Sequence, residues 1–297
     1  MTDEGDESGT AVDGWFAGID PGDTEVAAAR IREGGADSPA DWPRLAVESG
    51  FVGSEADYYD RLREATVRAT REAVRERERA DDRQLMHAVR AMDDCDRVAN
   101  ELAERVAEWA GSLLEDVGEG VGGAREVADR EDAPEPLRSL AARVTDLDDE
   151  AAALRAAVER TAPEGAPNLS AMAGAVLAAR LIALAGGLES LAKQPSGTVQ
   201  VLGAEEALFA HLRGHAPSPK HGVIYTHDAV RGTHPDDRGS AARAVAGKLA
   251  IAARVDHYSG ERKPELDGEL RERIGTIRAR KAGSADDTDG GAGGDGA

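Results

Sequence analysis

The chain has 297 residues, with 36 Lys and Arg against 57 Asp and Glu, so it carries a formal net charge of −21 and has room for one to three domains. Aromatic residues make up only 3%, which excludes a large aromatic core and leaves Ala, Leu and Val to pack closely spaced helices. The single cysteine, Cys95, excludes an internal disulfide and reads as a small buried apolar side chain on a helix. Charge is unevenly spread. Residues 1–160 hold 20 basic and 40 acidic side chains; residues 161–281 hold 16 and 13, with six of the seven His. A basic island kept inside an acidic chain points to a polyanion partner. Acid excess with 31 Arg to 5 Lys points to a high-salt cytoplasm, where the Debye length falls to about 3 Å and self-repulsion is tolerable. The first ten residues are acidic and polar, unlike a signal sequence. The longest apolar run, 171–188, is broken by Arg180, Gly174, Gly186 and Gly187, so no membrane span is expected and a cytoplasmic location is.

In chain order, 1–10 read as a disordered acidic start. Residues 12–19 (VDGWFAGI) read as one strand, followed by short helices near 24–32 and 41–48. Together, 1–54 form a small α/β cap. From 55 to 80, Arg and Glu at spacings of three and four predict a charged helix. Leu85, Ala88, Met92, Cys95, Ala99, Leu102, Val106, Trp109 and Leu113 then follow a strict 3-4 spacing, as do Leu137, Leu140, Val144, Leu147, Ala151, Leu154 and Val158. Each series keeps one apolar seam on one helix face. Gly118, Gly120, Gly122, Gly123, Pro134 and Pro136 predict a loop between them. The pattern fits an antiparallel hairpin over 55–162 or a helical bundle within one globule. Pro163, Gly165 and Pro167 mark the next boundary, and Asn168 or Ser170 suits the cap of the following helix. Helices are predicted at 169–193, 203–213, 236–256 and 264–280, making 163–281 all-helical. The Gly/Asp-rich 282–297 read as a disordered acidic tail. The fold class is therefore mainly α.

Three segments carry a resemblance: APNLSAMAGAVLAARLIALAGGLESLAKQPSGTVQVLGAEEALF (166–209), PSPKHGVIYTHDAVRG (217–232) and RGSAARAVAGKLAIAARVD (238–256). They resemble the Nop domain of the archaeal Nop scaffold proteins of box C/D ribonucleoproteins, which guide 2′-O-methylation. The run 83–109 resembles the first arm of that family's coiled coil. The resemblance implies a non-catalytic scaffold. The partners it implies are a box C/D guide RNA, the kink-turn-binding protein already on that RNA, the methyltransferase fibrillarin, and a second copy joined through the coiled coil. No cofactor is expected on this chain; S-adenosylmethionine would belong to fibrillarin. The family's N-terminal domain is about twice as long as 1–54, and its hairpin tip is longer.

Gly203, Ala204, Glu205, Glu206 and Phe209 match the family signature Gly-Ala-Glu-Lys-Ala-Leu-Phe except at Glu206, a carboxylate where the family has an ammonium. The resemblance places this turn against RNA and the kink-turn protein. A helix start offers free N–H groups to phosphate, and a glycine admits close approach. Lys193, Gln194, Gln200, Lys220, His221, His227, Arg231, Arg238 and Lys248 are the candidate RNA contacts; Lys and Arg suit phosphate, and His suits sugar or base edges. Dimer or seam positions are Leu85, Met92, Leu102, Val106, Trp109, Leu140, Val144, Leu147 and Leu154. A metal site is not expected. His211, His215, His221, His227 and His234 lie 4, 6, 6 and 7 apart, so only the first pair has helical ligand spacing. A phosphate-binding loop fails as well, because Leu249 follows Gly247-Lys248 and Ala242 stands where Gly is required. No nucleophile or acid–base set stands out. The other readings are an RNA-binding assembly module of spliceosomal or ribosome-assembly type without a methylation role, and a purely structural coiled coil.

Overall fold

A computed structural model describes residues 14–35 and 38–286. They divide into two compact units, one ending at Ala80 and one beginning at Asp81. Among the described residues there is no strand.

The first unit holds α1 (Thr24–Glu33), α2 (Trp42–Glu48) and α3 (Glu55–Arg79). Each start follows local chemistry. Asp23 Oδ1 accepts from the Val26 amide at 3.1 Å, and Ser54 Oγ accepts from the Asp57 amide at 3.1 Å. The expected strand is absent: of its residues, 14–19 form turns and 12–13 lie outside the described set. Gly18 sits at φ +69°, and the turn tucks Phe16 into the core, where a continuous strand with no partner strand could not satisfy its backbone. Trp15, Phe16, Trp42, Phe51, Tyr58 and Tyr59 crowd six of the chain's ten aromatics into 45 residues. Phe16 stacks on Phe51 at 5.6 Å, and Trp15 donates to the Tyr58 hydroxyl at 3.2 Å. Tyr58 comes from α3, so α3 completes this core; it packs on α1 and α2, although the sequence grouped it with the hairpin.

The second unit is built on α4 (Asp81–Gly111) and α6 (Glu135–Gly165), each 31 residues and so about 46 Å long. They share the most extensive helix–helix contact in the protein. Leu137, Ala141 and Val144 on α6 face Ala99, Ala103, Val106 and Ala110 on α4, all buried. The seam departs from the strict heptad. Leu102 is half-buried, Trp109 is 40% exposed and Leu113 is 54% exposed, while Ala103 and Ala110 are buried. A helix of 3.6 residues per turn drifts about 20° per heptad from a 3.5 repeat, so the buried face moves one residue along. Cys95 is half-buried rather than enclosed. Leu140, Leu147 and Leu154 flank the seam half-buried.

The predicted tip loop contains a helix, α5 (Gly120–Ala128). Its Ala124 and Val127 join the hairpin core, and a Cβ at Gly123 would come within 1.8 Å of the Gly118 carbonyl oxygen. Glycine propensity alone predicts a loop; apolar packing at Val121, Ala124 and Val127 overrides it.

The remainder is α7 (Pro167–Ala173), α8 (Ala175–Ala185), α9 (Leu188–Lys193), α10 (Ser196–Val201), α11 (Glu205–Leu212), a 3₁₀ turn (Val223–Thr226), α12 (Asp228–Arg231), α13 (Arg238–Tyr258) and α14 (Glu265–Asp286). The helix predicted over 169–193 is three helices. Gly174 (φ +79°) and the Gly186–Gly187 pair (φ +86° and +129°) adopt backbone that L side chains disfavour and break it twice. Helix α13 runs through the centre, its Ala241, Ala242, Val245, Ala246, Leu249 and Ala253 buried. This core extends into Leu85, Met86, Val89 and Met92 of α4 and Val158 and Ala162 of α6. The hairpin base and the C-terminal helices therefore share one hydrophobic core, across the boundary expected at 162–163. Pro163 lies inside the last turn of α6 rather than ending it.

The start of α7 is capped from another helix. Asp256 on α13 is 7% exposed; its carboxylate accepts from the Asn168 amide (2.9 Å), Asn168 Nδ2 (2.7 Å) and the Leu169 amide (2.8 Å). Asn168 Oδ1 in turn accepts from the Lys263 amide at 2.6 Å and Arg262 Nη1 at 3.1 Å. Asn168 is thus no local cap, as its position before a helix suggests, but the hub between α7, α13 and the 259–263 loop. No single described helix is long and apolar enough to cross a membrane; the α7–α8 pair passes by composition only together and bends by 118°. Its apolar residues are largely in the core.

Candidate functional site

Two loops, 213–222 and 227–237, and the helix starts beside them carry the predicted contact residues. The first loop is tied down by Gln200, whose Nε2 donates to the Lys220 carbonyl at 2.7 Å and whose own carbonyl accepts from the Gly222 amide at 2.9 Å. Gly222 has to be glycine, because a Cβ there would meet the Leu202 carbonyl oxygen at 1.9 Å. That tight approach sets the turn into the 3₁₀ segment, where Tyr225 projects. His221 stacks on Tyr225 with centroids 4.7 Å apart, and the Arg238 guanidinium lies 5.4 Å from the Tyr225 ring centre. Burial holds the His221 pKa below the usual imidazole range; a backbone hydrogen bond opposes this, and Arg238 and Lys220 add to the depression. His221, Tyr225 and Arg238 thus form one stacked cluster that carries the positive charge of Arg238.

Exposed Lys220 extends the cluster. With Gln200, Thr198, Leu208, Gly239 and Arg243 it lines an open groove of about 550 Å³. Lys220 and Arg243 are exposed and have no ion-pair partner among the described residues.

The second loop is pinned from inside. Both ring nitrogens of His227 are used within the chain: Nδ1 accepts from the Ala229 amide at 3.0 Å and Nε2 meets the Met172 carbonyl at 3.0 Å. That arrangement puts the proton on Nε2 and makes His227 the cap of α12. Its position beneath the loop, rather than on it, was not legible from the sequence. Arg231 projects outward and pairs with Asp228 at 2.9 Å. Arg238 Nε donates to the Thr233 carbonyl at 3.1 Å, so one guanidinium touches both the 3₁₀ turn and the second loop.

Helix α11 projects, with no buried residue. Gly203 precedes it at φ +80°, and a Cβ there would crowd Val223 and Leu184. The Glu205 carboxylate bends back to accept from the Gly203 amide at 2.8 Å, and Ala204 is the N-cap. Glu206 is exposed and has no ion-pair partner among the described residues. Phe209 is 59% exposed and Leu212 70%, three residues apart and so on one face. Gly203, Gly222, Val223 and Tyr225 line one further groove, which places the α11 start beside the Tyr225 patch.

Three predicted contacts lie elsewhere. Lys193 pairs with Glu189 at 2.6 Å, which raises its pKa. The Gln194 carbonyl accepts from Arg254 Nη2 at 3.1 Å. Lys248 is half-buried and paired with Glu269, tying α13 to α14. The histidines do not gather: His211 bonds to the Ala216 carbonyl, His221 stacks on Tyr225, His227 meets Met172 and His234 lies 3.4 Å from Asp236. Sequence reasoning left Tyr225 out of the site. Its signal was being one of the few aromatics, directly between two histidines in KHGVIYTH.

Comparison with known proteins places these features in a lineage. Residues 125–278 match the Nop family, described as "snoRNA binding domain, fibrillarin". An uncharacterized NOP5 family protein of Methanocaldococcus jannaschii is 31% identical over 281 residues, spanning 80% of this chain and 67% of that protein. Nucleolar protein 58 of Candida albicans is 32% identical over 232 residues, 65% of this chain and 45% of its own length. The chain therefore spans about two thirds of the methanogen relative and under half of the fungal one. Among solved structures, a chain of a fibrillarin/Nop5p complex matches with a TM-score of 0.52 and 25% identity, over 86% of this chain and 92% of that one. The chain belongs to the Nop family.

Proposed function

We propose that this protein is a non-catalytic scaffold of a box C/D ribonucleoprotein, holding a guide RNA and its kink-turn-binding protein on the C-terminal helices and bringing fibrillarin to them. The observation that carries the reading is the joining, on one side of the α7–α14 core, of a stacked cluster that carries the Arg238 charge (His221, Tyr225, Arg238), free cations (Lys220, Arg243) and a projecting helix with bare apolar residues (Phe209, Leu212). Cations and a stacking surface suit RNA; a half-apolar helix suits protein. The family membership and the fibrillarin/Nop5p likeness support the choice over an assembly module without a methylation role. In this reading S-adenosylmethionine and the chemistry belong to fibrillarin. The first unit holds fibrillarin, and the hairpin joins two copies through the exposed Trp109 on the last turn of α4 and Leu113 just beyond it.

The RNA-facing charge is small for a chain of −21, and counterion release weakens phosphate contacts as salt rises. Binding to the preformed RNA–kink-turn-protein complex is therefore expected to exceed binding to naked RNA by at least about tenfold in roughly 2–3 M salt, where the Debye length is below about 3 Å. Titration of both ligands at that salt checks it; equal affinity would contradict the joint site. In the same titration Glu206→Lys separates what faces the α11 start. We expect it to weaken complex binding by about 0.5–1 kcal/mol, because an exposed carboxylate beside Phe209 suits a cationic protein group. Tighter binding by the variant would place phosphate there instead.

A further inference from the structure

The 227–233 segment is held from three helices, and one of its anchors lies 45 residues beyond it. Arg278, near the end of α14, donates through Nε to Thr233 Oγ1 at 3.1 Å and through Nη2 to the Asp228 carbonyl at 3.2 Å. Thr233, 3% exposed, passes the contact on by donating to the Ala229 carbonyl at 2.7 Å. Its carbonyl also receives Arg238 Nε at 3.1 Å. Gly232 sits beneath the guanidinium, where a Cβ would meet Arg278 Nη2 at 3.2 Å. Neighbouring Ile274 and Ile277 are buried, so the helix carrying Arg278 is fixed to the core while its guanidinium reaches outward over the loop. Arg278 has no carboxylate partner among the described residues, and its donors go to the loop.

We infer that Arg278 is a positioning residue for the RNA–protein face: through Thr233 and the Asp228 carbonyl it fixes the loop that presents Arg231 and aims Arg238 at Tyr225. This rests on the function proposed above. A planar fork is what the geometry requires. Its two donors reach the carbonyl of Asp228 at the start of the one-turn helix α12 and the hydroxyl of Thr233 two residues past its end, whereas a lysine ammonium can serve only one of them at a time. The role is therefore geometric and not one of added positive charge.

The test uses the full chain with Arg278→Ala, Arg278→Lys and Thr233→Val. The amides of Val230, Arg231, Gly232 and Thr233 are bonded within this loop and report it directly. Arg278→Ala and Arg278→Lys are both expected to speed hydrogen exchange at these four amides while α4 and α6 exchange as before. Both are expected to weaken binding to the RNA–kink-turn-protein complex roughly tenfold, and Thr233→Val to do so by a similar factor without adding to Arg278→Ala. Full binding by Arg278→Lys would overturn the inference in favour of bulk charge. Faster exchange throughout the second unit would overturn it in favour of general stability. Unchanged exchange at the four amides sinks the positioning role whatever the chain binds. Failure of the unsubstituted chain to bind the complex sinks the proposed function instead.

Discussion

Asp256→Ala is expected to lower the unfolding free energy of the second unit by about 3–5 kcal/mol. The carboxylate accepts three hydrogen bonds from Asn168 and Leu169 in a site that is 7% exposed. Removing it leaves two helix-start amides and a side-chain amide facing an apolar methyl. Each unsatisfied buried donor costs about 1–3 kcal/mol, and water entering the small cavity recovers part of that. The damage spreads, because Asn168 also fixes the Lys263 amide and Arg262. Chemical denaturation followed by far-ultraviolet circular dichroism measures the effect. A loss below about 1 kcal/mol would show that the network is not what joins α7 to α13.

Val144→Asp is expected to cost about 3–4 kcal/mol or more, and to do so at the hairpin. Val144 is 0% exposed, among Ala141, Leu137 and the alanines of α4. A carboxylate there would be buried among apolar side chains. A charge at Trp109, which is 40% exposed within one copy, is expected to cost the hairpin's own fold less than about 1 kcal/mol at concentrations where the chain is monomeric, even though both positions belong to the predicted seams. Thermal melts of the two variants check the contrast, and equal losses would mean that the heptad, not the shifted face, describes the packing.

That contrast shows what the sequence conveys and what it does not. The 3-4 spacing of apolar residues announces two long paired helices, and α4 and α6 are those helices. It does not register the slow drift of a straight helix under a 3.5 repeat, so Trp109 falls outside the seam and Ala103 and Ala110 fall inside it. Propensity misplaced the tip for a related reason: four glycines predict a loop, yet Ala124 and Val127 find partners on α4 and α6 that local chemistry cannot reveal. Of the strand expected at 12–19, the described residues 14–19 form turns instead, since a strand needs a partner and no second strand exists among the described residues. At the site, exposed charges such as Lys220 and Arg231 were legible because loops between short helices carry them outward. His227 and Lys248 were not legible as internally bonded groups, since their partners lie 55 and 21 residues away in sequence and only the fold selects them; the i,i+4 pair of Lys193 with Glu189 was open to the spacing argument used for 55–80. Asp256 gave no signal at all: in a chain with 57 acidic residues, one buried carboxylate reads like the rest.

The central claim is that the chain physically joins a guide ribonucleoprotein to fibrillarin, and ordered assembly measures it most directly. Guide RNA carrying its kink-turn-binding protein is immobilised in molar salt, and fibrillarin is added with and without this chain. The account predicts that fibrillarin is retained only when the chain is present, and that Arg238→Ala, which removes the cation beside Tyr225, releases the chain and fibrillarin together. Retention of the chain on the RNA complex without fibrillarin would contradict the bridging role and leave an RNA-binding assembly module.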